Sequence, residues 1–169
     1  SNTYMLHKRG WFGINIDMED DKISTFNLTR PNDFNYLGAI SDKVENVKIF
    51  RNQKFGVSST INKDIIKKDD IIDEILIKTK TLNNVLELST FKNKEIDLLN
   101  IDTEGNDFKV LKSLNFEIYN PKIIIIETHL KNIQEIILSE QYKYLIDKKY
   151  NLVSWNIYSL IFIKKDFKF

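Results

Sequence analysis

The sequence has no cysteine and only two prolines, five glycines and two histidines among 169 residues. The missing cysteine excludes disulfides, thiolate metal sites and a cysteine nucleophile, and it agrees with a reducing, cytoplasmic setting. Long hydrophobic runs are lacking too. The longest, Ile123–Ile126 and Leu160–Ile163, fall far short of the ~20 residues a membrane helix needs. No positively charged stretch leads into an apolar signal core at the start of the chain. Neither charge dominates: 25 Lys and Arg stand against 24 Asp and Glu, and no block of five like charges occurs. These absences predict a cytoplasmic protein with no nucleic-acid partner and no membrane partner. The scattered lysines read as solvated helix faces.

What is present suits one domain spanning residues 1–169, since a chain of this length buries roughly 70% of its unfolded surface. Ser1, Asn2 and Thr3 can cap a first helix that Gly10 ends. Residues 13–17 read as a strand, and 20–28 as a helix with acidic residues at its N-terminus. Arg30-Pro31-Asn32-Asp33 breaks that helix. Tyr36–Ser41 is a second strand, and Val47–Phe50 a third expected to hairpin back. The stretch Arg51–Asp73 mixes loop signals with isoleucine pairs and reads as a loop or surface excursion. A short strand then covers residues 74–78, and Thr81 caps a helical turn.

The second half has a clearer pattern. Ile96–Ile101 is a strand, and Asn106 can cap a helix carrying Phe108, Leu111 and Leu114 at helical spacing. The isoleucine run after Lys122 reads as a strand buried on both faces of a parallel sheet. Helical material follows, and Asn151–Trp155 with Tyr158–Ile163 closes the chain as a hairpin. The expected fold class is α/β: an open, mostly parallel sheet with a C-terminal antiparallel hairpin.

In such a sheet ligands bind beyond the carboxyl ends of the strands, where polar residues need explaining. Three carboxylates qualify, Asp17, Asp102 and Glu127, each directly after an apolar strand. Asp17 has two acceptor oxygens suited to the paired hydroxyls of a nucleotide ribose, or it caps the next helix. Asp102 and Glu104 flank a turn whose Gly105 permits positive φ. They could face a ligand and orient or deprotonate a hydroxyl, or simply serve the next helix N-terminus. His129 is a candidate general base or a structural histidine, whereas His7, among charged neighbours, reads as surface. Ser41 and Asp42 border a nucleotide crevice or form a plain turn. The spacing of Asp102, Glu104 and His129 is not diagnostic of a metal site, and none is expected.

Several segments resemble the FkbM-type methyltransferase family. They are Gly10-Trp11-Phe12-Gly13-Ile14-Asn15-Ile16-Asp17, Arg30-Pro31-Asn32-Asp33-Phe34-Asn35 before Gly38-Ala39-Ile40-Ser41, Ile101-Asp102-Thr103-Glu104-Gly105-Asn106-Asp107 with Val110-Leu111, and Pro121-Lys122 leading into Ile126-Glu127. The match runs in order and is weakest over Arg51–Asp73. The resemblance implies a class I, Rossmann-like methyltransferase fold with S-adenosylmethionine as methyl donor. It also implies O-methylation of a small molecule or sugar. Asp17 would hold the ribose, Ser41 and Asp42 would border adenine, Asp102 would face the methionine end, and Asn2 and Thr3 would lie beside the cofactor. Asp102, Glu104 and His129 are the catalytic candidates.

Members of the family carry a strand and an acidic, glycine-rich turn ahead of the segment that matches Ser1-Asn2-Thr3. The expectation is therefore an N-terminally truncated domain with a gap in its sheet. Such a gap would expose the apolar edges of the strands containing Ile14 and Leu99. A partner chain, a homo-oligomeric copy included, could fill it. The competing expectation is a non-catalytic α/β binding module. A nicotinamide oxidoreductase lacks support, because no Gly-x-Gly-x-x-Gly occurs.

Overall fold

A computed structural model describes residues 3–52, 58–60 and 71–168. In chain order the elements are α1 (Tyr4–Lys8), β1 (Ile14–Asp17), α2 (Asp20–Thr29), β2 (Phe34–Leu37), β3 (Asn46–Asn52), β4 (Ser58–Thr60), β5 (Ile71–Lys78), α3 (Leu82–Leu88), β6 (Leu98–Ile101), α4 (Asp107–Lys112), β7 (Ile123–Glu127), α5 (Ile133–Leu138), α6 (Glu140–Asp147), β8 (Tyr150–Asn156) and β9 (Ser159–Lys164).

Local chemistry accounts for most boundaries. Gly10 at φ +88° ends the first helix, a conformation that costs a residue with a Cβ but not glycine. Thr81 and Asn84 form a reciprocal capping box at α3. Asn132 and Ser139 accept hydrogen bonds from Glu135 N and Tyr142 N, so α5 and α6 are separate helices, each with its own cap. The four isoleucines of β7 are β-branched and fit a pleated strand. Two of them, Ile124 and Ile126, face Phe162 and Leu160 across the antiparallel β7–β9 ladder. All four side chains are fully buried, together with Ile136, Leu145, Leu111 and Val85 from the helices. At ~1.5–3 kcal/mol for each large apolar side chain removed from water, this cluster is the main stabilising mass of the domain.

Among the described residues, parallel pairing is confined to β1–β2, β6–β7 and an isolated bridge between Ile40 and Lys80. The order β6-β7-β9-β8 has antiparallel pairs at its end, and β4-β3-β5 is antiparallel throughout. The fold is thus mixed α/β, and the expectation of a mostly parallel sheet is corrected. So is that of β3 hairpinning back on the second strand: its partners are β4 and β5. Within Arg51–Asp73, residues 58–60 and 71–73 are strand, while 53–57 and 61–70 lie outside the described residues. The C-terminal hairpin is as expected, turning at Ile157 and Tyr158. Among the described residues no helix is long and apolar enough to cross a membrane.

The feature that positions the site is a division in the sheet. β1 and β6 do not pair with one another. A cleft of about 1440 Å³ lies between them, lined by Ile14 and Ile16 on one side and Leu99 and Ile101 on the other, with Val85, Val110 and Leu114 from the helices. The two strands run the same way. Phe12, just before β1, stacks on Phe91, upstream of β6, with ring centroids 5.8 Å apart. At the far end, the carboxylates of Asp17 and Asp102 are close enough for one charge to act on the other.

Candidate functional site

The polar end of the cleft is built from the termini of β1 and β6, with the end of β7 beside Glu104. At the end of β1, Asp17 Oδ1 accepts a hydrogen bond from Glu19 N at 3.0 Å, and Oδ2 lies 3.4 Å from Lys22 Nζ on α2. One oxygen therefore shapes the turn into α2, while the second is held by an exposed lysine. Beside it, Gly38 N donates to Asp17 O at 2.9 Å. A Cβ on Gly38 would stand 2.6 Å from the Tyr36 ring, so glycine is needed unless that ring moves. Gly38, Ala39 and Ile40 form this wall of the cleft. Ser41, which is buried, and Asp42 lie one step beyond and do not line it. Ser41 Oγ bonds Asp42 Oδ1 at 3.3 Å, and Lys112 sits 3.8 Å from the other Asp42 oxygen.

At the end of β6 the chain turns through Glu104 (φ +51°) and Gly105 (φ +88°), two consecutive left-handed residues. Left-handed backbone at a residue other than glycine persists only where its surroundings hold it. Asp107, the first residue of α4, supplies that hold. Its buried carboxylate accepts from Thr103 N at 2.7 Å, Thr103 Oγ1 at 3.0 Å and Gly105 N at 3.1 Å. Asn106 occupies the N-cap position of α4 as expected, but its side chain makes no capping hydrogen bond. Its amide instead donates to Ile40 O at 2.8 Å, tying the turn to the opposite wall. Asp107 and Asn106 are the structural residues that sequence reasoning missed. The available signal was an Asp at the first helical position, four residues after a threonine, a placement that favours back-bonding to turn amides.

Glu127 ends β7, its side chain only 14% exposed, with Oε1 3.5 Å from His129 Nε2. Its other oxygen is buried without a hydrogen-bond partner. Burial pushes the Glu127 carboxyl up to about 8, helped by the charges of Asp102, Asp107 and Glu104 and opposed by a backbone hydrogen bond from Glu104. Asp102, which lines the cleft, is also raised, first by burial and then by Asp107, while Lys22 and His129 pull it back. Polar atoms of Glu104, Glu127 and His129 all lie within 4.8 Å of one another. The structure thus brings Asp102, Glu104 and His129 into one neighbourhood, with Asp17 across the cleft.

Thr3 also lines the cleft. Its Oγ1 accepts from buried Arg30 at 2.9 Å, and Arg30 reaches Asn15 Oδ1 on β1 at 3.2 Å. Asn2 lies outside the described residues. His7 is not plain surface: it is partly buried, lines the cleft, and its Nδ1 is buried without a partner.

The family described as the Methyltransferase FkbM domain matches residues 1–147. The chain belongs to this family and carries a methyltransferase domain. No curated protein and no solved structure matches it.

Proposed function

Starting from that membership, we propose that the domain transfers a methyl group from S-adenosylmethionine to an oxygen of a small molecule or sugar. The observation that carries the reading is the cleft between β1 and β6, with Asp17 and Asp102 at the same end of it. An acidic rim suits a cationic ligand, and S-adenosylmethionine has a sulfonium and an ammonium group. Asp17 would receive the ribose hydroxyls, Thr3 would lie beside the cofactor, and Asp102 would face its methionine end. Ser41 and Asp42, which stand behind the Gly38–Ile40 wall, would border the adenine end without lining the cleft. Bound there, S-adenosylmethionine supplies an electrophilic methyl on sulfur. The residues of the chain would align the acceptor and take its proton, with Glu104 and His129 as the candidates for that work.

The finer fold reading belongs to the same proposal. A small-molecule pocket is usually ~300–1,000 Å³, and the cleft exceeds that at about 1440 Å³. The surplus, the shared strand direction and the apolar walls support a class I, Rossmann-like sheet opened at one strand position between β1 and β6. Those same unpaired edges favour the second reading, a non-catalytic α/β module that binds a partner, since an open edge is a template for pairing.

Isothermal titration with S-adenosylhomocysteine separates the two. The first reading predicts saturable binding, weakened about ten- to a hundredfold in Asp17→Ala, as expected for losing hydrogen bonds to a charged acceptor. Absence of binding, or unchanged affinity in the variant, would overturn the cofactor assignment and favour the module.

A further inference from the structure

The exposed His129 and the partly buried Glu127 beside it are more than two neighbouring side chains. The backbone of this segment is fixed: Glu127 opposes Ser159 in the β7–β9 ladder, and Thr128 N donates to Tyr158 O at 2.8 Å. The imidazole then meets the Tyr158 ring edge-on, at 6.0 Å between centroids, and presents Nε2 to Glu127 Oε1 at 3.5 Å. Ring contact and carboxylate together set the orientation of a histidine that is otherwise 55% exposed. With Nε2 turned to Glu127, Nδ1 is the nitrogen left to take a proton.

We propose that Glu127 and His129 form one proton-accepting pair, in which Glu127 is the positioning residue and His129 presents the base. The pair rests on the methyltransferase reading only for its use. Alkylation of a hydroxyl leaves one proton over, because the oxygen exchanges hydrogen for carbon while the electron pair of the broken carbon–sulfur bond stays on sulfur. That proton goes to Nδ1 of a pair whose Glu127 is ionised, and the carboxylate offsets the charge this creates on the ring.

The surroundings explain why the pair can hold a proton near neutral pH. Asp102, Glu104 and Asp107 face Glu127 from the β6–α4 turn, and all three disfavour its ionised form, as burial does. Asp17 and Lys22 from β1 and α2 act on Asp102, and the Tyr158 ring flanks His129. The Glu127 carboxyl is thereby pushed up to about 8. Above that value the pair is able to accept a proton, and below it one proton is shared by two sites, so the titration belongs to both residues.

The chain has only two histidines, which makes the test direct. In the whole 169-residue protein labelled at the histidine ring carbons, the NMR shifts of His7 and His129 are followed from pH 5 to pH 10, without cofactor. The His129 signal is expected to show two inflections, the upper from ionisation of Glu127. Glu127→Gln should abolish the upper inflection and leave the His7 curve unchanged. Glu104→Gln should keep the upper inflection but move it down, because one repelling carboxylate is gone. A single inflection for His129, alike in wild type and Glu127→Gln, would overturn the proposal. So would an upper inflection that survives Glu127→Gln. A failure here is distinct from failure of the cofactor assignment, since no S-adenosyl ligand is present.

Discussion

The two flanks of the cleft differ in what holds them. On the β6–β9 side, Ile124 and Ile126 of β7 and Leu160 and Phe162 of β9 are sealed from solvent. They interlock with Ile136 and Leu145 from α5 and α6 in one continuous core. On the β1–β2 side no strand residue is fully buried; Ile14, Ile16, Phe34 and Tyr36 are only partly covered and pack against that core from outside. The β1–β2 flank is held by polar contacts instead. Asp33 accepts from Gly13 N at 3.1 Å and from Asn15 Nδ2 at 2.9 Å, and Asn15 Nδ2 also reaches Asn35 Oδ1 at 2.8 Å. One flank is a scaffold stabilised by packing. The other is a layer ordered by hydrogen bonds, with lower local stability expected where buried apolar contacts are few.

Truncations on the two flanks should break or sharpen that contrast. Phe162→Ala empties a fully buried site in the ladder and should cost about 3–5 kcal/mol in denaturant unfolding. Ile16→Ala removes a partly covered side chain facing the cleft and should cost roughly 1–2 kcal/mol. Equal losses would mean that β1 is as firmly packed as β9, and the comparison would fail.

An effect comparable to that of Ile16→Ala is expected where the flanks meet. Asp107→Ala deprives three donors of the Asp102–Gly105 turn of their acceptor, which should cost about 1–3 kcal/mol. Because the same turn carries Asp102 and Glu104, S-adenosylhomocysteine affinity should fall with stability. Asp107→Asn, which keeps one acceptor oxygen, should recover part of both. An Asp107→Ala protein with wild-type stability and affinity would show that the turn holds itself.

The contrast also decides how much of the molecule was legible from sequence. The β6–β9 flank announced itself through the isoleucine run, the paired terminal strands and the Asp-Thr-Glu-Gly turn, because core burial leaves a periodic apolar imprint. Gly105 does take the left-handed conformation its position suggested. The β3–β5 sheet was not legible as a unit: β4 is three polar residues long, and β3 pairs β5 across a long intervening stretch of sequence. In the site, Asp17, Asp102 and Glu104 stood out as polar residues after apolar strands. Glu127 stood out in the same way, but its partnership with His129 and its raised carboxyl depend on burial and on carboxylates brought in from another strand end. Asp107 and Asn106 looked like ordinary helix-start residues. Only the fold shows that one holds the turn and the other crosses to Ile40.

The central claim is that the division between β1 and β6 is where the cofactor binds, with both flanks contributing. Amide hydrogen exchange with and without S-adenosylhomocysteine tests it most directly. The account predicts that ligand slows exchange on both sides of the cleft, in residues 14–19 and in 101–106, while the already protected amides of β7 and β9 do not change. Protection confined to one side, or no change on either, would contradict it.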